Sequence, residues 1–425
     1  MSPRPTLARR LGTADAVFIG LGSMIGAGVF AVFVPAAKVA GAGLLVGLAL
    51  AAIVAACNAL ASAQLATAYP TSGGTYVYGR ERLGHWWGFF AGWSFVVGKT
   101  ASCAAMALVF ASYAAPAGWE KATAIAAIVA LTAVNYRGIT RTAQLTKIIV
   151  VLVLTALAVA VAASGTAGFP FLVNISGATV GAASPGPSLL VATGPYALLQ
   201  SAGLLFFAFA GYARIATLGD EVRNPRRTIP RAIIIALLIT ITIYAIVGVV
   251  LLGTLGAGGL ANSTAPLRDA AAISGWGWAT PVVAVGAALA SLGALLALIA
   301  GIARTGLAMA REGDLPTWLA SVHPRFHVPH RVEVVVAIVV CGLVLTLDLR
   351  GAIGFSSFGV LLYYFVANLS ALSQGREHRL FPRAVFVIGA FGCLVLVVTL
   401  PLESISGGVA VVLAGVAYRT LRLRR

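Results

Sequence analysis

Residues Ala16 to Pro35 read AVFIGLGSMIGAGVFAVFVP, placing Gly20, Gly22, Gly26 and Gly28 around Ser23 in one apolar run. The chemistry these residue types offer is that of the backbone. Each glycine weakens a helix by about 1 kcal/mol relative to alanine, and a break frees N–H and C=O groups that hydrocarbon cannot satisfy. The spacing predicts a break near Gly26-Ala27-Gly28. N–H groups opening the second half of such a helix suit an anion such as a carboxylate, and carbonyls closing the first half suit a cation. A second run, Leu204 to Glu221, reads LLFFAFAGYARIATLGDE and has Gly211 among Phe206, Phe207, Phe209 and Tyr212. A third candidate is Lys99, about fourteen residues into the apolar segment that starts near Trp86. A charge at the bilayer centre costs about 2.5–3.5 kcal/mol on insertion scales, so Lys99 needs an occupation. It either caps carbonyls at one of the breaks or supplies a titrating or fixed cation for coupling.

Other chemistries find no support in the sequence. No Asp or Glu lies in the middle of an apolar run; Asp15 and Glu403 sit at span entrances, Asp220 and Glu221 at the end of the sixth run. An enzyme working inside the membrane would need acids, His or Cys at a common depth. GLGSMIG lacks the strand–turn–helix context and the lysine of a nucleotide loop. His323, His327 and His330 lie in HPRFHVPH, where Pro324 and Pro329 break the helix that i, i+4 metal ligands require. Cys57, Cys103, Cys341 and Cys393 are scattered through apolar runs without a CxxC pair. Neither a metal nor a cofactor is expected.

The elements that must position these groups follow from composition. Of 425 residues, 60% are hydrophobic and 10% charged, with mean hydropathy +0.97, which predicts an all-α polytopic membrane protein. Twelve apolar runs are expected, at about 15–37, 42–68, 85–113, 118–135, 144–164, 195–217, 230–254, 277–303, 332–348, 352–373, 380–399 and 403–419. With the N-terminus inside, four of the 29 Lys and Arg fall outside (Lys38, Lys121, Arg268, Arg350), two lie within spans (Lys99, Arg214), and the remaining 23 are cytoplasmic. That bias puts both termini in the cytoplasm. It also accounts for the net charge of +17 without a nucleic-acid partner. The basic flank SPRPTLARR with a long, glycine-broken first run does not read as a cleaved signal.

Breaks in the first and sixth runs stand five spans apart, and five is odd, so two five-span units in series have opposite orientations. The expected division is a tail over 1–14, a first five-helix repeat over 15–164, a second, inverted repeat over 165–373, and helices 11–12 with a basic tail over 374–425.

Four motifs carry a resemblance: GLGSMIGAGVF, YPTSGGTYVYGRERLG at 69–84, FFAFAGYARIATLGDEVRNPRRTIPRAI at 206–233, and RTGLAMAREGDLPTWLASVHPRF at 304–326. From about Thr13 to Leu372 the chain resembles amino acid permeases of the amino acid–polyamine–organocation superfamily. The resemblance implies the five-plus-five inverted-repeat fold first seen in a sodium-coupled leucine transporter. It carries the substrate α-carboxylate onto Ser23, Gly26, Ala27 and Gly28. It carries the α-ammonium onto the carbonyls of Met24, Ile25, Phe209, Ala210 and Gly211, with Phe209 and Tyr212 shaping the side-chain pocket. Arg214 and Glu221, with Arg223, Arg226, Arg227, Arg231 and Arg311, suggest a cytoplasmic gate of ion pairs. Proton-coupled relatives carry a lysine inside the fifth helix, where this chain has Val153 and only Lys147 at the helix entrance. Sodium-coupled relatives use a Ser/Thr pair in the eighth helix, where this chain offers Ser291 alone.

The reading is a secondary transporter of neutral amino acids in the cytoplasmic membrane, working by exchange or with a proton as coupled partner. The alternatives are a cationic amino acid or polyamine transporter or antiporter, and a sensor or receptor with a transporter fold but no flux.

Overall fold

The computed structural model describes residues 11–70, 73–138, 143–166, 194–218 and 221–423. The N-terminal tail, the 167–193 connection and Asp220 lie outside the described residues. Among those described, regular structure is helical throughout. Eight stretches are long and apolar enough to cross a membrane: Thr13–Ala31, Phe33–Ala68, His85–Ala114, Gln144–Gly165, Pro225–Asn262, Ala279–Arg311, Leu349–Leu372 and Leu402–Arg422. Pro195–Phe209 and Arg383–Thr399 are shorter apolar helices. The chain is an integral membrane protein.

The first run is three helices, α1 (Thr13–Met24), α2 (Ala27–Ala31) and α3 (Phe33–Ala40). It is followed by α4 (Leu44–Ala68), a short α5 (Thr75–Leu83) and α6 (His85–Ala114). Then come α7 (Glu120–Tyr136), α8 (Ala143–Thr166), and a second broken run formed by α9 (Pro195–Phe209) and α10 (Ala213–Ala216). Helix α11 (Pro225–Asn262) starts at a proline suited to a first helical turn, and α12 (Pro266–Ile273) does the same. The chain continues through α13 (Ala279–Arg311), α14 (His330–Thr346), α15 (Leu349–Leu372), α16 (Arg383–Thr399) and α17 (Leu402–Leu423).

Helices α6 and α15 form the centre of the bundle and pack on one another along their length. They can approach because Gly98 and Gly359 face each other. A methyl added to Gly359 would stand 2.7 Å from the Gly98 Cα and from the Ser94 carbonyl oxygen. Small residues at helix crossings gain dispersion where lipid offers no hydrophobic drive. The periphery is apolar and exposed instead, as Ile338, Phe391, Val398 and Leu413 show. Water cannot be their partner in a chain of this composition; lipid is.

This packing sets a first prediction. Gly359→Ala should lower the thermal unfolding midpoint in detergent, since overpacking costs about 1–3 kcal/mol. Gly375→Ala, with nothing within 4 Å of the added methyl, is the control. Equal midpoints for the two variants would show that the α6–α15 contact tolerates separation.

Candidate functional site

The first break lies one to two residues before the expected Gly26-Ala27-Gly28. Helix α1 ends at Met24, Ile25 adopts φ −82° and ψ 52°, Gly26 adopts φ −93° and ψ −145°, and α2 begins at Ala27. Ala27 and Gly28 are therefore helical. The glycines are needed for room: a Cβ on Gly28 would lie 2.9 Å from the Ala208 Cα, and one on Gly26 3.0 Å from the Ala294 Cβ. The second break is a turn through Ala210, Gly211 and Tyr212 between α9 and α10. A methyl on Gly211 would overlap the Ser23 carbonyl. The two breaks thus touch backbone to backbone.

Carbonyls freed by the breaks are met by side chains from three other helices. The Tyr244 hydroxyl on α11 lies 2.6 Å from Met24 O and 3.0 Å from Ala208 O. It has a single proton to share between them. Ala210 O accepts from Lys99 Nζ on α6 and from the Tyr364 hydroxyl on α15, each at 3.1 Å. Lys99 is only 7% exposed, and among the described residues no carboxylate lies within ion-pair distance of it.

A cavity of about 700 Å³ opens beside the breaks. Of the residues singled out in the sequence, Ser23, Met24, Gly28, Lys99, Ala210, Gly211, Arg214 and Glu221 line it. Ile25, Gly26 and Ala27 stand behind that surface. Phe209 and Tyr212 do not line it either, which corrects their expected role in shaping the pocket. Both are fully buried, Phe209 against Tyr244 (ring centroids 5.1 Å apart) and Tyr212 stacked on Tyr364 (4.8 Å). At 100° per residue, positions 207 and 209 point to nearly opposite sides of a helix. Phe207 is the aromatic of that run that lines the cavity, joined by Tyr76, Phe95, Ser102 and Tyr363 from other helices.

The expected gate is also different. Arg214 and Glu221 line the cavity without pairing; the Arg214 guanidinium is 3.5 Å from Thr217 Oγ1. Arg223, Arg226, Arg227, Arg231 and Arg311 are exposed, and none makes an ion pair among the described residues. The ion pairs form elsewhere on that end of the bundle. Arg80 reaches Glu312 at 2.8 Å and Asp314 at 3.5 Å, Arg419 pairs with the buried Asp314, and the Tyr76 hydroxyl donates to Asp314 at 2.8 Å. A parallel bridge ties Leu11 to Val222 near the cavity's far end.

Lys147 pairs with Asp15 at 2.5 Å, and Val153 is buried. Ser291 is buried without a hydrogen-bond partner among the described residues and lies off the cavity surface. His323 and His330 pack around Tyr136, at 5.3 and 5.9 Å between centroids. The sequence reading missed Tyr244, Tyr364 and Arg304. A tyrosine in mid-span was the available signal, because its hydroxyl needs a partner wherever water is absent.

Membrane-length helices thus enclose a cavity at two contacting breaks. The chain belongs to the amino acid permease family, whose model matches residues 11–418. It is 58% identical over 422 residues to an uncharacterized transporter of Mycobacterium tuberculosis, covering 98% of this chain and 92% of that one. It is 24% identical to a branched-chain amino acid permease of Bacillus subtilis, over 77% of this chain and 73% of the relative. It is 27% identical to a vacuolar cationic amino acid transporter of Arabidopsis thaliana, over 86% of this chain and 63% of the relative.

The hydroxyl shared between the breaks gives a second prediction. Tyr244→Phe leaves Met24 O and Ala208 O without it, and an unsatisfied buried carbonyl costs about 1–3 kcal/mol. The variant should unfold at lower temperature and transport more slowly. Wild-type values for both would show that the hydroxyl is dispensable to the breaks.

Proposed function

We propose that this permease is a secondary transporter that moves neutral amino acids across the cytoplasmic membrane by alternating access. It has twelve spans arranged as two inverted five-helix repeats plus two C-terminal helices, with both termini cytoplasmic. In this reading the cavity opens to the cytoplasm, since it runs from the breaks to Leu11, Glu221 and Arg304. One observation carries the reading: two helix breaks in backbone contact on a single cavity, where α1 closes in carbonyls and α2 opens in N–H groups. A zwitterion needs both.

The α-carboxylate sits at the start of α2, where Gly28 and Ser23 reach the cavity. Ala210 O already accepts two donors, so Met24 O, with one acceptor position left, takes the α-ammonium first. A cationic side chain would find no carboxylate at depth, because Glu221 at the far end is the cavity's one acidic lining residue among those described. That absence favours neutral substrates over the cationic ones for which the Arabidopsis relative is named.

Counterflow in proteoliposomes tests the function: labelled neutral amino acids should accumulate when unlabelled substrate is inside. Absence of flux, with binding retained, would mark a sensor instead. Recognition through backbone donors requires a free carboxylate, so methyl esters should compete at least tenfold less well than the parent amino acids. Esters competing equally would contradict the carboxylate site.

Lys99 is the coupling residue in this reading, a fixed cation that makes up for the one the fifth helix lacks at Val153. Its ammonium on Ala210 O holds the second break without a counter-ion. Lys99→Arg should keep substantial uptake, and Lys99→Met should lose most of it. Homoexchange surviving in Lys99→Met, with only the pH dependence of uptake removed, would make the cycle proton-linked instead.

A further inference from the structure

Three basic side chains line the cavity, and together they do more than signal orientation. Lys99 stands at the breaks, Arg214 on α10 beyond them, and Arg304 on α13 toward the open end. None has a carboxylate within 4 Å among the described residues. Lys99 uses one of its three N–H groups on Ala210 O, and among the described residues the Arg214 side chain makes only the long contact to Thr217 and the Arg304 side chain makes no hydrogen bond. Among the described residues Glu221 is the one acidic residue in the lining, near Arg214, and the buried Glu333 on α14 acts on Arg304 from off the lining. Elsewhere on that end of the bundle the basic residues that approach acids do pair with them, as Arg80, Arg419 and Lys147 show. Inside the cavity, three cations are left without an ion pair among the described residues.

We propose that Lys99, Arg214 and Arg304 form a charge filter: they exclude amino acids with cationic side chains, and polyamines, and admit neutral and acidic ones. The argument is electrostatic. A cavity walled by low-dielectric protein concentrates the potential of its lining charges. At an effective dielectric of about 20, like charges roughly 10 Å apart weaken binding by about tenfold. Discrimination by repulsion is a common route to specificity, because it acts on the wrong ligand without having to improve the right one. A substrate's own α-ammonium is offset by its α-carboxylate; a side-chain ammonium is not. The filter rests on the amino acid reading above, and it separates this chain from the cationic transporter to which it is similar.

The test is competition against counterflow of the best-transported labelled amino acid, using L-glutamine, L-glutamate and L-lysine as unlabelled competitors on the full-length protein. Lysine should need at least about ten times the concentration of glutamine for half-inhibition, and glutamate no more than glutamine. The lysine-to-glutamine ratio is the readout, because it divides out any general loss of activity. It should fall several-fold in Arg304→Glu and in Lys99→Met, and stay near the wild-type value in Arg304→Lys. Arg304→Glu carries the test if Lys99→Met does not fold, since Arg304 is exposed and its side chain makes no hydrogen bond or ion pair within 4 Å among the described residues, Glu333 acting on it only at longer range. A wild-type ratio near one, or a high ratio that neither variant moves, overturns the filter. Glutamate falling with lysine would show rejection of charge as such and overturn it equally. If amino acids compete regardless of charge, the filter alone fails. If no amino acid competes or is transported, the reading beneath it fails as well.

Discussion

A peptide carbonyl released inside a membrane has to find a donor within the protein, because the solvent there offers none. This chain releases several at once, at Met24, Ala208 and Ala210, where two helices stop next to each other. Three side chains answer: Tyr244 from α11, Lys99 from α6 and Tyr364 from α15. Each comes from a different helix, so the bundle around the breaks must hold all three in place. The glycine contact between α6 and α15 matters for that reason as well as for packing. If those helices separated by a methyl group, Lys99 and Tyr364 could no longer share one acceptor.

The same arrangement suits movement. Hydrogen bonds of this kind contribute about 0.5–1.5 kcal/mol each, more when one partner is charged. They are strong enough to fix the breaks in one conformation and weak enough to be exchanged for bonds to a substrate. A fully apolar contact between the breaks would leave nothing for a zwitterion to replace. A buried ion pair in the place of Lys99 and Ala210 O would be far costlier to open. The ion pairs among the described residues lie off the cavity lining, and Arg80, Glu312, Asp314 and Arg419 tie α5, the turn after α13 and α17 together. Tyr76 belongs to both regions, lining the cavity while its hydroxyl donates to Asp314.

Much of this was legible in the sequence, for local reasons. An apolar run long enough to span, a glycine cluster in its middle and a lysine at depth each report on a single helix. The break positions were accordingly right to within a residue or two. What was not legible depends on which way a side chain points once helices pack. Phe207 and Phe209 are equivalent in composition, yet one faces the cavity and the other Tyr244. The pairing of Asp314 with Arg419 joins residues 105 apart in the chain, and no local pattern announces it. The basic run after Glu221 read as a gate because sequence shows charge but not direction. In the structure those arginines are exposed.

The central claim is that an amino acid binds between the two breaks, held by backbone groups of the first. A structure determined in the presence of a transported amino acid addresses it directly. Density for the ligand should lie between Gly28 and Gly211, with the carboxylate toward the first turn of α2 and the ammonium on the Met24 carbonyl. Ligand density elsewhere in the cavity, with Tyr244, Lys99 and Tyr364 still holding undisturbed breaks, would contradict the account.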